Sequence, residues 1–383
     1  IPVLPRLIEE VGHLTLAEAS IIGGWMFFAY SMGQFLFGPL MGNLSDRFGR
    51  RPLLLLAILG LGLDYALQAL APTLAWLYLG RVISGICGAS WIIANAYIAD
   101  ITAPEERARY FGMMGAAFGL GFVLGPAIGG LLGEFGPRVP FYAAGGISAI
   151  NLVYGWFVLP ETLDVAHRRP FEWARANPLG AFRVFHSYHG VVPMCIVLFS
   201  FFFFASAYQA IWAYWGMAKF GWSAATVGLS LAIFGIITAA VQGGLTGPMV
   251  KRFGEYRMVM VGLIFSAVGA LGYGLAGSLT MVVVMMLVHA PEGFVMPMLQ
   301  AMMTKAVPEN AQGELQGGMS AVVNVAALAG TVFFSQVFGY FLGESAPFQS
   351  PSVGFYVAAV GLVLTFLLFR VLIKPRAAQP ASV

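Results

Sequence analysis

Long apolar segments dominate this chain and limit what it can fold into. A helix that crosses a bilayer needs about 20 predominantly apolar residues. Eleven such segments follow one another, near residues 20–42, 53–71, 74–99, 109–133, 139–160, 189–215, 224–247, 258–276, 279–304, 313–341 and 352–373. Their apolar residues are continuous, whereas the strands of a transmembrane barrel alternate. The sequence therefore predicts an all-α membrane protein, since only helices and closed barrels satisfy their backbone in lipid.

The composition excludes most soluble classes. Hydrophobic residues make up 59% of the 383 residues and charged residues only 10%, whereas soluble domains are about 25% charged. The net charge of +3 is too small to indicate an anionic partner such as nucleic acid. Cys87 and Cys195 both lie in apolar segments, so we predict buried free thiols and no disulfide.

The basic residues predict the orientation of the spans. Sixteen of the 20 Lys and Arg residues fall in alternate loops and the C-terminal end, at 42–52, 100–109, 161–188, 248–257, 305–312 and 370–383. The other loops hold Arg6, Arg138 and Lys219. By the positive-inside rule, the basic loops are cytoplasmic. Residues 1–5 are then expected to be the outer end of a truncated first span, which makes twelve spans with both termini cytoplasmic.

Two loop sequences occur twice at nearly the same offset. Residues 42–49 are repeated at 247–254, and residues 104–112 at 308–317. We therefore predict a duplicated six-helix unit, an arrangement found in transporters with a site at the bilayer midplane. The predicted divisions are an N-terminal six-helix bundle at 1–160 (first helix incomplete), a cytoplasmic linker at 161–188, a C-terminal six-helix bundle at 189–376 and a tail at 377–383.

The first repeated loop combines glycines, an acid and three arginines. The residues are Gly42, Asp46, Arg47, Gly49, Arg50 and Arg51. Glycine permits a tight reversal between helices, and Asp46 can cap a helix or pair with an arginine. We interpret the group as a latch that holds one transport state. Positive-inside placement alone would explain the arginines, but it would explain neither the acid nor the glycines.

Residues 42–52 resemble the loop signature of the major facilitator superfamily, and residues 81–88 resemble its second signature. The third signature, typical of antiporters, is matched by Gly121, Gly125, Pro126, Gly129 and Gly130. Its glycines permit close packing of membrane helices, and its proline can bend the helix. The resemblance implies the major facilitator fold, with two pseudo-symmetric six-helix bundles.

Further segments are similar to the tetracycline-efflux branch of that family. They are residues 63–65, 76–81, 96–100 and 297–302, spread over nearly the whole chain. The resemblance implies a monomer in a bacterial inner membrane that exports an amphipathic drug by alternating access in exchange for a proton. Alternatives are a symporter or uniporter for a metabolite and, from another class, a non-transporting sensor or a channel.

The chain departs from the tetracycline-efflux pattern at three places. Members that handle tetracycline usually carry an Asp in the ninth helix, where this chain has Ser266, and a His in the eighth, where it has Ile237 and Thr238. Near Pro297 they have small residues, where this chain has the segment 289–293 with His289 and Glu292. The substrate therefore stays open, with tetracycline as one possibility.

Three strongly ionic residues lie well within predicted spans: Asp64, Arg81 and Glu292. Charges in the membrane are costly and are often functional, so we predict that these three couple transport to protons. Asp64 lies about 16 Å along its helix from the loop, and Glu292 lies in a segment that two prolines should break. The alternatives are a buried acid satisfied by its neighbours, an acid lining a cavity, and a structural arginine.

Polar and aromatic residues at helical spacing predict the wall of a substrate cavity. They are Tyr30, Gln34, Trp91, Asn95, Tyr208, Gln209, Trp212, Met296, Gln300 and Asn324. For the aromatic members, helix packing or contact with lipid is the alternative.

Sequence signatures of catalysis are not found. The chain has no GxxxxGK[ST] loop, HExxH pair, Cys/His cluster or GxSxG turn, which would indicate nucleotide, metal or acyl-transfer chemistry. We predict that it is not an enzyme, that it uses no metal or cofactor, and that its partners are an amphipathic small molecule, protons and the lipid bilayer.

Overall fold

The computed structural model describes residues 2–103, 106–173, 177, 180, 185, 188–308 and 311–374. Within these ranges all regular secondary structure is helical, as predicted. The predicted tail at 377–383 lies outside the described residues, as do two residues in each copy of the second repeated loop, 104–105 and 309–310.

The helices of the first predicted half alternate with short connections. They are α1 (Leu4–Gly12), α2 (Leu16–Phe48), α3 (Arg50–Leu70), α4 (Leu74–Gly88), α5 (Ser90–Ile101), α6 (Arg107–Gly133) and α7 (Val139–Val158). Thr15 and Glu18 form a reciprocal capping box at the start of α2, which satisfies backbone N–H groups left free in the first turn. Gly49 links α2 to α3 with φ 105°, a conformation that favours glycine.

The described helices of the second half follow the same pattern. They are α8 (Val192–Phe220), α9 (Ala224–Ala240), α10 (Thr246–Leu275), α11 (Leu279–His289), α12 (Val295–Thr304), α13 (Gln312–Leu342) and α14 (Val353–Leu372). A π-helical turn, Val241–Leu245, joins α9 to α10, and a 3₁₀ turn, Ala290–Phe294, joins α11 to α12. The helix therefore changes to 3₁₀ geometry at Pro291, where a break or kink was predicted, and Leu279–Thr304 continues as one candidate span.

The described helices account for the predicted spans. Nine helical segments of the described chain are long and apolar enough to cross a membrane, and α1 with α2, bent by 111°, makes a tenth. One of the nine, Ala224–Leu275, has 52 residues, about twice the length that a bilayer needs. Gly254, with φ 75° and ψ 162°, interrupts it, so it corresponds to two of the eleven predicted segments.

Many large apolar side chains are exposed on the helices. Phe157 is 81% exposed, Ile147 67% and Val360 62%. Soluble monomers rarely expose large apolar patches, whereas lipid-facing helices are apolar on their outer surface. The chain is an integral membrane protein that spans the bilayer several times.

The chain forms two compact units that do not coincide with the sequence halves. The first comprises Ile1–Gly180, Tyr208–Gly235 and Thr331–Pro351, and the second comprises Ala181–Ala207, Ile236–Gly330 and Ser352–Val383. In the first, α2 packs on α4, and α3 packs on α4 and α7. In the second, α10 packs on α14 and on the broken helix α11–α12. The predicted division into two six-helix bundles stays a prediction.

Candidate functional site

A buried ion pair occupies the middle of the first unit. Asp64 on α3 is 1% exposed, and Arg81 on α4 donates from Nη2 to Asp64 Oδ2 over 2.7 Å. Gln68, one helical turn after Asp64, donates from Nε2 to the other carboxylate oxygen over 3.0 Å. The short connection between α3 and α4 makes these helices neighbours. Both carboxylate oxygens of Asp64 accept a hydrogen bond, one from Arg81 and one from Gln68.

Helix α2 adds an aromatic ring and an amide to this pair. The Arg81 guanidinium lies 5.9 Å from the centre of the Tyr30 ring, within the range of cation–π attraction. Gln34 donates from Nε2 to the Tyr30 hydroxyl over 2.9 Å. The structure thus brings together four predicted residues, Tyr30, Gln34, Asp64 and Arg81. Gln68 was not predicted from the sequence, although its i+4 spacing from Asp64 is a signal for it.

A second acid lies in the 3₁₀ turn of the second unit. The Ser266 hydroxyl on α10 donates to Glu292 Oε2, and His289 Nε2 lies 2.5 Å from the same oxygen. The Tyr273 hydroxyl, also on α10, lies 3.3 Å from His289 Nδ1. His289 and Tyr273 are each 1% exposed, whereas the Glu292 side chain is 21% exposed. Glu292, His289, Ser266 and Tyr273 form one hydrogen-bonded group, which we call the Glu292 cluster.

The Glu292 cluster connects two departures from the tetracycline-efflux pattern. Ser266 stands where the resemblance implies an Asp, and Glu292 stands in a segment where it implies small residues. The two side chains are 26 residues apart and hydrogen-bonded to each other. The Glu292 carboxylate therefore contacts the position of α10 at which the resemblance implies an acid.

Irregular backbone surrounds the Glu292 cluster. Gln242, within the π-helical turn, donates from Nε2 to the Gly293 carbonyl over 3.4 Å. π-helical turns occur often at functional sites, and broken helices are where transporters bind substrates and coupling ions. The cluster has these features of a transport site.

The other predicted cavity residues lie in varied surroundings. Gln300 donates to Gln316 Oε1 over 2.9 Å, joining α12 to α13. Asn95 donates to the Trp91 carbonyl of its own helix, and the Trp91 ring lies 5.5 Å from that of Phe118 on α6. Gln209 and Asn324 are exposed, while Tyr208 and Met296 are half-buried.

Trp212 lies in a packed interior instead of an open cavity. It is 6% exposed, and its Nε1 donates to the Ser230 hydroxyl over 2.9 Å. Its ring lies 5.3 Å from Trp215 and 5.9 Å from Trp222. Helix packing, the alternative given for the aromatic residues of the predicted cavity wall, therefore describes Trp212 in the structure.

Arg50 is the centre of the charged group in the first repeated loop. Its guanidinium pairs with Asp46 Oδ1 at 2.6 Å and with Asp100 Oδ2 at 3.1 Å. Its backbone N–H donates to Glu161 Oε1 over 2.9 Å. Arg50 and Asp46 were predicted from the sequence, whereas Asp100, in the last turn of α5, and Glu161, which follows α7, were not.

The remaining arginines of the predicted latch lie outside this ion pair. Arg47 is exposed and lies over the Phe48 ring, 5.0 Å from its centre. Arg51 donates to the Trp156 carbonyl over 2.6 Å. The linker also contacts the loop, because the Arg169 N–H donates to the Asp46 carbonyl over 3.1 Å.

Replacing Arg50 by Gln should destabilise the protein. The Arg50 side chain is 11% exposed, and each hydrogen bond lost to a charged group costs about 1.5–3 kcal/mol. We expect a lower midpoint of thermal unfolding in detergent for Arg50→Gln. Arg47→Gln, at an exposed position in the last turn of α2, is the matched control and should unfold like the parent. Equal midpoints for the two variants would contradict a structural role for Arg50.

The glycines of the third signature lie in unlike environments. A Cβ at Gly130 on α6 would collide with the Ala224 carbonyl and lie 3.1 Å from the Cα of Gly228 on α9. A Cβ at Gly121, Gly125 or Gly129 would have nothing within 4 Å of it. Pro126 contributes its carbonyl to the same contact with Gly228. Close helix packing in this motif therefore depends on Gly130 and Pro126.

Glu134 caps the start of α9 beside this contact. Its Oε1 accepts from the Ala225 backbone N–H over 2.9 Å. This hydrogen bond, together with one from the Ser223 hydroxyl, holds the pKa of Glu134 below its ordinary value of 4.5. A carboxylate with a lowered pKa stabilises the fold above its unfolded pKa, and this stabilisation is lost as the pH falls through the folded pKa.

Glu134→Ala should therefore lower the thermal midpoint at about pH 6, where the carboxylate is ionised, and have less effect at about pH 3.5. Thermal unfolding in detergent at both pH values measures the difference between parent and variant. Glu344→Ala, at an exposed loop position, is the control. A Glu134→Ala effect that stays the same at both pH values would contradict the role of the charge.

Membrane helices, an ion pair inside the spans and a 3₁₀ turn that carries a half-buried acid define a secondary transporter architecture. The chain belongs to the Major Facilitator Superfamily, whose family model matches residues 1–216 and 194–383.

Several relatives are resistance proteins. The class C tetracycline resistance protein of Escherichia coli is 40% identical, over 88% of this chain and 84% of that protein. The class B protein of Escherichia coli is 32% identical, over 96% and 91%. Multidrug resistance protein 2 of Bacillus subtilis is 28% identical, over 96% and 90%.

Solved structures show the same fold. The nucleoside transporter NupG superposes with a TM-score of 0.77 at 13% identity and covers 98% of this chain and 95% of its own. A human organic anion transporter superposes with a TM-score of 0.68 at 24% identity, over 96% and 94%.

Proposed function

We propose that this protein exports amphipathic drugs by alternating access, in exchange for protons. The observation that carries the proposal is the presence of carboxylates in hydrogen-bonded groups inside the spans, at Asp64, which is buried, and at Glu292, which is half-buried. The similarity to tetracycline and multidrug resistance proteins supports export as the direction. We place the protein in a bacterial inner membrane, as a monomer with both termini cytoplasmic.

The coupling follows from competition between charges. Substrate enters from the cytoplasm and a proton from outside, and binding of one favours release of the other. Asp64, Arg81 and Glu292 are the residues that we assign to coupling. Because charges in the membrane need compensation, each state of the cycle keeps these groups paired, protonated or in contact with substrate.

Conformational change requires elements that close and open. We assign the Arg50 group to a cytoplasmic latch, with Asp46 and Asp100 as its acids. The contact of Gly130 with α9 closes the opposite end. In alternating access one end opens while the other closes, so weakening either contact should shift the balance between the two states.

Tetracycline is the first substrate to test, because several relatives of 32–40% identity are named for resistance to it. The departures at Ser266 and Glu292 make other amphipathic drugs equal candidates. Gln34 and Gln300 are the strongest predicted substrate contacts, since amides are unfavourable against lipid, and Tyr30 accepts a hydrogen bond from Gln34.

Transport into proteoliposomes tests the function. Purified protein is reconstituted, a pH gradient is imposed, and uptake of tetracycline, ethidium and chloramphenicol is followed with and without a protonophore. We expect gradient-driven accumulation of at least one compound, abolished by the protonophore. Movement of substrate together with protons would favour the symporter alternative. Single-channel currents would contradict the transporter.

A further inference from the structure

We infer that Glu292, paired with His289, is the group that takes up and releases the coupling proton, while Asp64 stays ionised throughout the cycle. The inference rests on the proposed function, because it says which of the two carboxylates inside the spans carries the proton. It follows from the difference between their cationic partners.

Asp64 is paired with a permanent charge. Arginine stays protonated in proteins, and Arg81 lies 2.7 Å from Asp64 Oδ2 while Gln68 holds Oδ1. The other titratable groups that face Asp64 are Tyr30, Tyr65 and Cys87, which are ordinarily neutral at pH 7. A proton on Asp64 would leave the Arg81 cation unpaired inside the membrane, which is costly.

Glu292 is paired with a group that can change charge. An imidazole ordinarily titrates near pH 6.5, and His289 Nε2 lies 2.5 Å from Glu292 Oε2. The separation admits a single proton between the two atoms. The titratable groups that face Glu292 are His289 on α11 and Tyr273 on α10, and Gln242 contributes a neutral amide nearby. The pair can therefore change its net charge by one.

Tyr273 and Ser266 form hydrogen bonds with the Glu292–His289 pair that are compatible with both of its protonation states. Tyr273 can donate to Nδ1 of a neutral His289, which places the imidazole proton on Nε2, facing the carboxylate. When His289 is protonated at both nitrogens, the same hydroxyl accepts instead. Ser266 donates to Oε2 in either state.

The side chain of Glu292 is also more accessible to protons than that of Asp64. Both hydrogen bonds to Glu292 use Oε2, which leaves Oε1 outside them, and the side chain is 21% exposed, against 1% for that of Asp64. The 3₁₀ turn that carries Glu292 interrupts the helix, and irregular backbone at membrane depth occurs where it is buried in protein or lines a water-filled cavity. We therefore expect a proton to reach the Glu292 carboxylate without breaking the pair.

Counting protons on the purified full-length protein tests the inference. Detergent-solubilised protein in weak buffer is titrated from about pH 8 to about pH 5, the range in which histidine pairs change charge, and the protons bound per molecule are measured with an indicator dye. We expect Glu292→Gln to bind one proton fewer than the parent, because a protonated His289, 1% exposed, would then lack its anionic partner. We expect Asp64→Asn to bind the same number as the parent. Glu255→Gln, which removes a carboxylate paired with an exposed lysine, is the matched control.

Two further variants distinguish loss of the proton site from misfolding of the protein. Glu292→Asp should regain the proton with a shifted midpoint, and His289→Gln should move the midpoint of the remaining uptake. Loss of the proton in Asp64→Asn, with or without its loss in Glu292→Gln, would overturn the assignment, as would unchanged uptake in both. Failure of the proposed function would instead be seen in liposomes, as transport that does not depend on the pH gradient.

Discussion

Arg81→Ala is expected to be among the most destabilising single substitutions in this protein. It leaves the carboxylate of Asp64, 1% exposed, without its cation. Removing one partner of a buried ion pair costs about 3–5 kcal/mol, because the remaining charge is uncompensated. The substitution also removes the cation over the Tyr30 ring. We expect a large fall in the thermal midpoint and in the yield of folded protein.

The double variant Asp64→Asn/Arg81→Gln separates charge from packing. It removes both charges and keeps side chains of similar size, so much of the lost stability should return. Transport should stay impaired, since both residues are assigned to coupling. Thermal unfolding in detergent and efflux from proteoliposomes provide the two measurements.

Arg138→Ala is the matched control for Arg81→Ala. Arg138 pairs with Glu10 at 2.9 Å, and the Glu10 side chain is 48% exposed. Exposed ion pairs contribute about 0–1 kcal/mol, so this variant should lose far less stability. If Arg81→Ala were no less stable than Arg138→Ala, the ion pair inside the spans would not be the stabilising feature that its burial indicates.

Gly130→Val is expected to abolish efflux while variants at neighbouring glycines keep it. A side chain at Gly130 would collide with the Ala224 backbone carbonyl of α9, and backbone yields less readily than a flexible side chain. Overpacking of this kind costs about 1–3 kcal/mol. If the α6–α9 contact belongs to one transport state, that cost shifts the equilibrium between states by about 5–150-fold.

The same motif supplies the controls for Gly130→Val. Gly125 and Gly129 have open space around a Cβ, and alanine is favoured over glycine within a helix by about 1 kcal/mol. Gly125→Ala and Gly129→Ala should therefore keep efflux and stability near those of the parent. Drug susceptibility of expressing cells, with protein amounts measured in membranes, compares the variants. Loss of efflux in all three would contradict the distinction between these positions.

The apolar pattern predicted the helices well because membrane spans need length and hydropathy and little else. Asp64, Arg81 and Glu292 could be identified for the same reason, since charges stand out where few are tolerated. The Asp64–Arg81 contact could not be predicted, because it depends on which faces of α3 and α4 meet. Gln68 needed only helical spacing and was missed.

The cavity residues show where pattern alone was insufficient. Helical spacing placed Trp212 on a shared face with Tyr208, but it could not say whether that face was open or packed. The structure buries Trp212 and satisfies its indole N–H with Ser230. Hydropathy is nearly uniform in such helices, so it does not distinguish lipid, a neighbouring helix and a cavity.

The sequence by itself determined the class of protein, the spans and the short list of charges within them, because the bilayer imposes these on any chain that crosses it. Tertiary structure decided which charges have which partners. Ser266 and Glu292 are separate departures in the sequence and one hydrogen-bonded site in the fold. Asp64 meets an arginine, and Glu292 meets a histidine. That difference depends on contacts between helices, which cannot be predicted from hydropathy.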